Sequence, residues 1–233
     1  ASQKQTEDFK EFIELWIHEA KIPLATLQLS LYNQHHLPAE IKQALQQLED
    51  YLEQVLYFTR AENAQKDYLI RQVPLQQIIR QVAIRNQARL LNGDIQFIAP
   101  STDVIVTTDQ KWLGYILNQI MDNAIKYVQT IENATIEITV EEQAKEILLH
   151  IRDNGCGISA SDLPRVFDKS FTGENGRLYP KATGLGLYLV KQLISKLGHG
   201  ITITSNVQVG TTVTLIFAKP SFYEVVQTSE NKE

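Results

Sequence analysis

The first sixty residues carry an apolar pattern with helical spacing. Between Thr6 and Asn33, apolar residues recur at alternating steps of four and three, as in a helix that packs along a seam. They are Phe9, Ile13, Trp16, Ala20, Leu24, Leu27 and Leu31. After the break at His35 to Pro38, a second series comprises Ile41, Leu45, Leu48, Leu52, Val55 and Leu56. We predict a helical hairpin that forms a homodimeric four-helix bundle, because two helices alone bury both seams poorly.

The pattern changes after the polar stretch Glu62 to Asp67, where short β-prone segments alternate with helical ones. The predicted strands are Tyr68–Gln72, Ile95–Ile98, Val104–Val106, Thr135–Val140, Ile147–Arg152, Ile201–Thr204 and Thr211–Phe217. The predicted helices are Pro74–Leu91, Asp109–Tyr127 and Gly186–Leu197. This order indicates an α+β domain with helices on one face of a mixed sheet. We place the domains at residues 1–64 and 65–220, followed by a polar tail at 221–233.

Composition narrows the possible functions. The 233 residues have a net charge of -5 and a pI near 5.6, so a basic surface for nucleic acid is not expected. A single cysteine, Cys156, excludes an internal disulfide and fits a reducing compartment. The sequence has no apolar run near the ~20 residues of a membrane span. Because the chain starts without Met, we expect the cytoplasmic portion of a cell-membrane protein.

His18 is the first candidate for chemistry. On a helix that turns about 100° per residue, it lies opposite Phe9 and should face outward. A lone outward histidine is commonly just a solvated side chain. Here four apolar residues share its side of the helix, namely Leu15, Ile22, Ala25 and Leu29. They indicate a docking surface around a polar centre, unless they only widen the core of the bundle.

Two neighbours of His18 have chemical consequences. Pro23 removes a helical hydrogen bond, and the resulting kink would let the helix bend beside the histidine. Glu19 is a candidate base that accepts the imidazole proton and leaves the other nitrogen free to attack phosphorus. Spacing alone fits equally well with Glu19 as an ordinary exposed charge.

Two glycine-containing segments suggest a nucleotide site. Asp153-Asn154-Gly155-Cys156-Gly157 ends a predicted strand, where a carboxylate can accept from an exocyclic amine such as that of adenine. Gly184-Leu185-Gly186-Leu187 opens a helix whose N–H groups can meet phosphates. Each is modest alone, since turns have similar compositions. The segment between them, 168–183, carries Lys169, Arg177 and Lys181 and fits either a mobile lid or a plain surface loop.

The helix at Asp109–Tyr127 offers a further polar group. Asn123 lies one turn after Gln119 and almost one turn before Lys126 and Tyr127. Amide oxygens can bind Mg²⁺ that shares phosphate oxygens, and an ammonium can neutralise those phosphates.

Together, these motifs resemble those of bacterial sensor histidine kinases, in the family's order and spacing. His18 to Pro23 resembles the H box, Gln119 to Tyr127 the N box and Asp153 to Gly157 the G1 box. Phe167 to Phe171 resembles the F box, and Thr183 to Leu187 the G2 box. The resemblance extends from Thr6 to Ala218.

The resemblance implies a dimerisation and phosphotransfer hairpin followed by a Bergerat-type ATP-binding α/β sandwich. It implies that His18 is autophosphorylated from ATP with Mg²⁺, with Glu19 as base, and that an aspartate of a response regulator docked near His18 receives the phosphoryl group. Asn123 and Gln119 would be Mg²⁺ ligands, and Asp153 would bind the adenine amine. The expected ATP-binding residues are Gln119, Asn123, Lys126, Tyr127, Asp153, Gly155, Gly157, Ile158, Phe167, Arg177, Lys181, Thr183, Gly184, Leu185, Gly186, Leu187 and Thr211.

Two positions depart from the family pattern. Gln119 stands where asparagine is common, and its longer amide can still reach Mg²⁺ or phosphate. Ile22 stands four residues after the histidine, where many relatives have Thr or Asn to position water, so we expect weak phosphatase activity. The segment 167–177 resembles a narrower group, the kinases that work with antimicrobial-peptide transporters in Gram-positive bacteria. It suggests a role in envelope or peptide stress, with a membrane transporter as partner.

Two alternatives stay open on the sequence. One is a non-catalytic, ATP-responsive dimer that scaffolds a partner through the surface around His18. The other is a different enzyme with the same ATP-binding fold. The sequence disfavours it, because such enzymes lack a hairpin with an outward His-Glu pair.

Overall fold

The computed structural model describes residues 68–173 and 183–219 continuously. It also describes residues 12, 13, 15, 16, 19, 20, 22, 23, 26, 27, 41, 48, 51, 54 and 57. The chain divides into two compact units, Ala1–Asp67 and Tyr68–Glu233. The functional domains assigned to residues 1–64 and 65–220 stay predictions.

In the first unit, every described residue from 12 to 57 is helical. The Trp16 indole N–H donates to the Tyr51 carbonyl at 3.1 Å, and the Tyr51 hydroxyl donates to Glu19 Oε2 at 3.4 Å. These two bonds join segments that lie far apart along the chain. His18 lies outside the described residues, and the four-helix bundle stays a prediction.

Burial in this unit differs in part from the predicted stripe. Ala20 and Ile41 are buried as expected, but Phe12 is fully buried although it lies outside the stripe. The physical reason is width: a helix in a globular core buries an arc of at least 100°, and Phe12 lies only about 40° from Trp16 around the helix. Ile22 is 50% exposed.

The second unit alternates strands and helices. In chain order they are β1 (Arg71–Pro74), α1 (Leu75–Asn92), β2 (Gln96–Ile98), β3 (Ile105–Thr108), α2 (Gln110–Val128), β4 (Thr135–Glu142), β5 (Glu146–Asp153), a 3₁₀ turn (Leu163–Arg165), α3 (Gly186–Lys196), β6 (Gly200–Asn206) and β7 (Gly210–Ala218). Strands β1 and β3 form a small antiparallel pair, and the other five form a sheet in the order β2-β4-β5-β7-β6. Strands β2 and β4 run parallel, and the other neighbours in that sheet are antiparallel. This confirms the predicted α/β domain.

The core forms where the inward-facing side chains of the five-stranded sheet pack against the helices. On β5 the buried residues alternate as Ile147, Leu149 and Ile151, because successive side chains of a strand point to opposite faces. Helix α2 packs between α1 and α3 and also against β4 and β5. Its eleven buried residues make it the central helix of the layer.

Helix α2 begins at a side-chain cap. Asp109 Oδ1 accepts from the backbone N–H groups of Lys111 at 2.8 Å and Trp112 at 3.1 Å, which satisfies two orphan donors of the first turn. Its second oxygen, Oδ2, accepts from the N–H of Leu69 at 2.9 Å. One buried carboxylate therefore fixes both the helix start and the chain segment that enters the unit.

Two predicted strands are misplaced. The strand predicted at Tyr68–Gln72 begins only at Arg71, because the Leu69 N–H bonds to the Asp109 side chain instead of a neighbouring strand. The strand predicted at Val104–Val106 runs from Ile105 to Thr108, since β1 pairs with it from Pro74↔Ile105 to Arg71↔Thr108. Within the described parts of the chain, no helix is both long and apolar enough to cross a membrane.

The burial of His199 makes the stability of this unit depend on pH. Its Nε2 lies 3.0 Å from Thr108 Oγ1 and its ring packs edge-on against Phe217, and burial lowers its pKa from 6.5 to about 4. The unfolded chain therefore binds the extra proton first, so the free energy of unfolding falls as pH drops from 6.5 to about 4.

We expect His199→Gln to remove this part of the pH dependence, because the amide keeps a hydrogen bond to Thr108 and does not titrate. Urea unfolding from pH 7 to pH 4 measures it. His150→Gln is the matched control, since His150 also contacts a threonine hydroxyl, Thr214 Oγ1 at 2.9 Å. Equal pH profiles for His199→Gln and the unmutated chain would contradict the assignment.

Candidate functional site

A buried carboxylate lies at the end of β5. The inner face of this strand reads Ile147, Leu149, Ile151 and then Asp153, which is only 8% exposed. Because alternate residues of a strand share one face, the pattern that places three aliphatic side chains in the core also places a carboxylate at its edge. Asp153 is thus held by the strand itself and not by a loose loop.

Two backbone donors hold this carboxylate. Asp153 Oδ1 accepts from the N–H of Gly155 at 2.8 Å and from the N–H of Thr211 at 3.3 Å. Its other oxygen, Oδ2, accepts from no donor among the described residues. Burial raises the pKa of Asp153 to about 6, although the two backbone hydrogen bonds oppose that rise. One oxygen is fixed by the protein and the second can meet a ligand amine.

A serine that the sequence analysis missed connects the strands around Asp153. Ser205 Oγ accepts from the N–H of Ile158 at 2.8 Å and donates to the Gly210 carbonyl at 2.9 Å. It also lies 2.9 Å from Thr211 Oγ1, and β5 pairs Asp153 directly with Thr211. Ser205 itself carried no distinguishing pattern.

The glycines after Asp153 let backbone segments pack closely on one another. A Cβ on Gly155 would lie 2.8 Å from the Tyr127 carbonyl oxygen, and one on Gly157 would lie 2.0 Å from the carbonyl oxygen of Asn206. Gly157 also has a φ of +71°, which side-chain-bearing residues rarely adopt. These glycines let the loop pack against α2 and the β6–β7 turn.

The predicted residues of α2 lie along one side of the helix. Gln119 is buried, at 8% exposure, and its Oε1 lies 3.0 Å from the position that a Cβ on Gly186 would take. Asn123 is half-buried one turn later. Lys126 is also half-buried, its Nζ lies 5.1 Å from the centre of the Tyr127 ring, and burial lowers its pKa. Gly186 thus brings the start of α3 against the middle of α2.

The segment 167–171 is joined to Gly184. The Ser170 N–H donates to the Gly184 carbonyl at 3.1 Å, and a Cβ on Gly184 would lie 2.5 Å from the carbonyl carbon of Ser170. Arg165 stacks 4.4 Å from the centre of the Phe171 ring. Lys191 of α3 lies 5.5 Å from the centre of the Phe167 ring. Arg177 and Lys181 lie outside the described residues.

The remaining predicted ligand contacts differ in how deeply their side chains are buried. Leu185 is 2% exposed, so its side chain belongs to the core and only its backbone can face a ligand. Its N–H donates to Thr183 Oγ1 at 3.3 Å, which orders the turn before α3. Leu187 and Ile158 are half-buried. Helix α3 begins at Gly186 without a side-chain cap on its first turn, the arrangement that receives an anion.

These residues fit a nucleotide. The carboxylate of Asp153 can accept from a base amine, the start of α3 can meet phosphates, and the ammonium of Lys126 can supply a positive charge. Among the described residues, no group of three or more His, Cys, Asp or Glu side chains could hold a metal ion. The amide oxygens of Gln119 and Asn123 are instead the type of ligand that Mg²⁺ accepts beside phosphate oxygens.

Comparison with known proteins agrees with this geometry. Residues 108–221 match the family described as histidine kinase-, DNA gyrase B- and HSP90-like ATPase. Sensor histidine kinase YxdK of Bacillus subtilis (strain 168) is 34% identical over 212 residues, which are 88% of this chain and 64% of that protein. Sensor protein kinase GraS of Staphylococcus aureus (strain JH1) is 34% identical over 233 residues, 97% of this chain and 64% of that protein.

A solved structure of histidine kinase ThkA, in complex with the response regulator protein TrrA, has the same fold. Its TM-score is 0.65 at 18% identity, over 94% of this chain and 64% of that one. The fold and the site define an ATP-binding domain of the histidine kinase type. Over 88–97% of its length the chain is similar to bacterial sensor histidine kinases. It spans 64% of the length of the YxdK and GraS sequences that it matches.

The buried carboxylate yields a stability prediction. Because the pKa of Asp153 is about 6 in the folded chain and 3.8 in the unfolded chain, folding becomes less favourable as pH rises through this range. Asp153→Asn keeps the acceptor oxygen and removes the charge. We expect it to raise the free energy of unfolding by up to about 3 kcal/mol at pH 7 and by less than about 1 kcal/mol near pH 4.

Urea unfolding at the two pH values measures this difference. Asp103→Asn is the control, because Asp103 is exposed and its replacement should change neither value. A variant of Asp153 that is no more stable than the unmutated chain at pH 7 would show that its burial carries no electrostatic cost.

Proposed function

We propose that this chain is the ATP-dependent kinase core of a two-component sensor, which phosphorylates His18 and passes the phosphoryl group to an aspartate of a response regulator. The observation that carries the proposal is the Asp153 carboxylate, with one oxygen held by backbone donors and the other open to a base amine. The packing of Gly155 on Tyr127 and of Gly186 on Gln119 supports it, since the two glycine motifs meet the same helix.

In this proposal Asp153 Oδ2 accepts from the exocyclic amine of adenine, and Tyr127 borders the base. Thr211 holds the carboxylate through its N–H and through the bond between its hydroxyl and Ser205. Gly184 and Gly186 present the turn and first N–H groups of α3 to the phosphates. Lys126 neutralises phosphate charge, which its partial burial strengthens.

Gln119 and Asn123 are the proposed residues for Mg²⁺. They lie one turn apart on α2, so both amide oxygens can serve one ion that keeps water and phosphate ligands as well. The ion would supply charge neutralisation on the phosphates. The chain's own part is to hold the two amides toward the same ion.

Phosphoryl transfer requires a nucleophile and a proton acceptor on the helical unit. One imidazole nitrogen of His18 attacks the γ-phosphorus, the bond from that phosphorus to the oxygen shared with ADP breaks, and the proton on the other nitrogen passes to Glu19. The bond from the Tyr51 hydroxyl to Glu19 supports this role, because it orients the carboxylate from the neighbouring helical segment. A regulator aspartate then attacks the phosphorus and releases His18.

The partners and location belong to the same proposal. The chain pairs as a homodimer through a four-helix bundle, and the regulator docks around His18, where Ile22 is 50% exposed. The ThkA–TrrA complex supports a response regulator as partner. A membrane anchor outside this chain, a peptide-transporter partner and a role in envelope stress follow from the resemblance of residues 167–177 to the transporter-associated kinases.

Autophosphorylation tests the proposal directly. We expect the purified chain, incubated with Mg²⁺ and γ-labelled ATP, to acquire label that is stable in alkali and lost in acid, as a phosphoramidate is. His18→Ala should acquire none, whereas His150→Ala should be labelled as the unmutated chain is. Nucleotide binding without label would contradict the kinase and favour an ATP-responsive scaffold.

Ile22 gives a prediction about the reverse reaction. An aliphatic side chain cannot orient water, and the next hydroxyl along the helix, that of Thr26, donates to the Ile22 carbonyl at 3.1 Å. We therefore expect Ile22→Thr to speed dephosphorylation of the phosphorylated regulator by roughly tenfold, which is less than the roughly 10²–10⁴-fold that a positioned general acid or base contributes, because the hydroxyl only orients water. Ile22→Val is the control, because valine has the same shape as threonine without the hydroxyl. Equal rates for the two variants would contradict this account.

A further inference from the structure

A polar connection crosses the interface between α1 and α2. Asn86 of α1 is 2% exposed, and its Nδ2 donates to Asn118 Oδ1 of α2 at 3.2 Å and to its own helix at the Val82 carbonyl at 3.0 Å. The Asn118 side chain in turn donates to the Gly114 carbonyl at 2.9 Å. Each amide is therefore tied both to the backbone of its own helix and to the other helix.

Arg89 extends the connection by one turn. Its Nη1 donates to Asn86 Oδ1 at 3.1 Å and also contacts the Asp122 carboxylate of α2. The Arg89 and Asp122 side chains are 47% and 38% exposed, so this ion pair adds little to stability. The loss of the Asn86 hydrogen bonds should cost only about 1 kcal/mol, because their partners, half-buried Asn118 and exposed Arg89, can bond to water instead. The network therefore has a geometric consequence more than an energetic one.

That consequence concerns the rotation of α2 about its axis. Asn118 and Asp122 directly precede Gln119 and Asn123, and consecutive residues lie about 100° apart around a helix. When α1 holds Asn118 and Asp122, it also sets where the next two amides point. Apolar packing alone tolerates small rotations and shifts more readily than a directional hydrogen-bond network does.

We propose that Asn86 and Arg89 are positioning residues that fix the rotation of α2 so that Gln119 and Asn123 face the metal–nucleotide complex. The proposal rests on the proposed function, since it concerns the same site. Neither residue would contact ATP or Mg²⁺. Their effect should appear in the part of nucleotide affinity that depends on Mg²⁺.

Two kinds of variant separate positioning from folding. Asn86→Leu removes the buried link and keeps the branched shape of the side chain, and Arg89→Asp opposes Asp122 with a like charge at an exposed position. The double variant Arg89→Asp/Asp122→Arg restores opposite charges with the direction reversed. Gln87→Leu is the matched control, because Gln87 lies beside Asn86 on α1 and is exposed.

The measurements are the Kd of a non-hydrolysable ATP analogue with Mg²⁺ and with EDTA, and the melting temperature of the ligand-free chain. We expect Asn86→Leu and Arg89→Asp to weaken binding about tenfold with Mg²⁺ and less than about twofold with EDTA, as a small misplacement of the ligands would. The melting temperature of Asn86→Leu should fall by no more than about 5 °C. The double variant should recover most of the Mg²⁺-dependent affinity, and Gln87→Leu should bind normally.

Several outcomes would overturn the assignment. Unchanged affinity in both variants would show that α2 is oriented without the network. Equal weakening with Mg²⁺ and with EDTA, or a loss that the double variant does not recover, would indicate a general structural role. If the unmutated chain bound no nucleotide under either condition, the proposed function would fail first, and the assignment would fail with it.

Discussion

The nucleotide site depends on which residues of β5 face the core, because these residues alternate along the strand. The alternation that buries Ile147, Leu149 and Ile151 also buries Asp153, because all four share one face of the strand. A carboxylate in that place costs free energy, as its raised pKa shows, and two backbone N–H groups offset only part of that cost. The fold therefore maintains an unfavourable charge at one edge of its core, where a ligand amine can compensate it.

Helix α2 connects this carboxylate to the rest of the unit. Its start is capped by Asp109, which also holds the incoming chain at Leu69. Its middle carries Gln119 against Gly186, and its end offers the Tyr127 carbonyl to the Cys156 N–H at 3.3 Å. A change in the rotation of this helix would therefore affect the Asp109 cap, the turn at Gly184–Gly186 and the loop after Asp153 together.

Much of the second unit could be predicted from the sequence, because its strands alternate and its helices have a regular apolar period. The elements at Thr135–Glu142, Glu146–Asp153 and Gly186–Lys196 follow such patterns closely. The misplaced strand near Tyr68 shows the limit, since a side chain forty residues away takes the backbone donor that a strand would use. Local propensity contains no information about such a partner.

The site shows the same division. Asp153, Gln119 and Asn123 could be selected because their spacing matches a known set of motifs, whereas Ser205 and Asn86 act through contacts with residues distant in the sequence. Gly155 and Gly157 could also be selected by spacing, but the packing of one backbone segment on another that requires them depends on residues distant in the sequence.

The central claim is that Asp153 reads the exocyclic amine of adenine, and base discrimination tests it most directly. The measurement is the Kd of ATP and of inosine triphosphate, in which a carbonyl oxygen replaces that amine, for the unmutated chain and for Asp153→Asn. The account predicts that the unmutated chain prefers ATP by roughly a hundredfold or more, and that the variant loses most of this preference because its amide can donate to the carbonyl. Equal affinity of the unmutated chain for both nucleotides would contradict it.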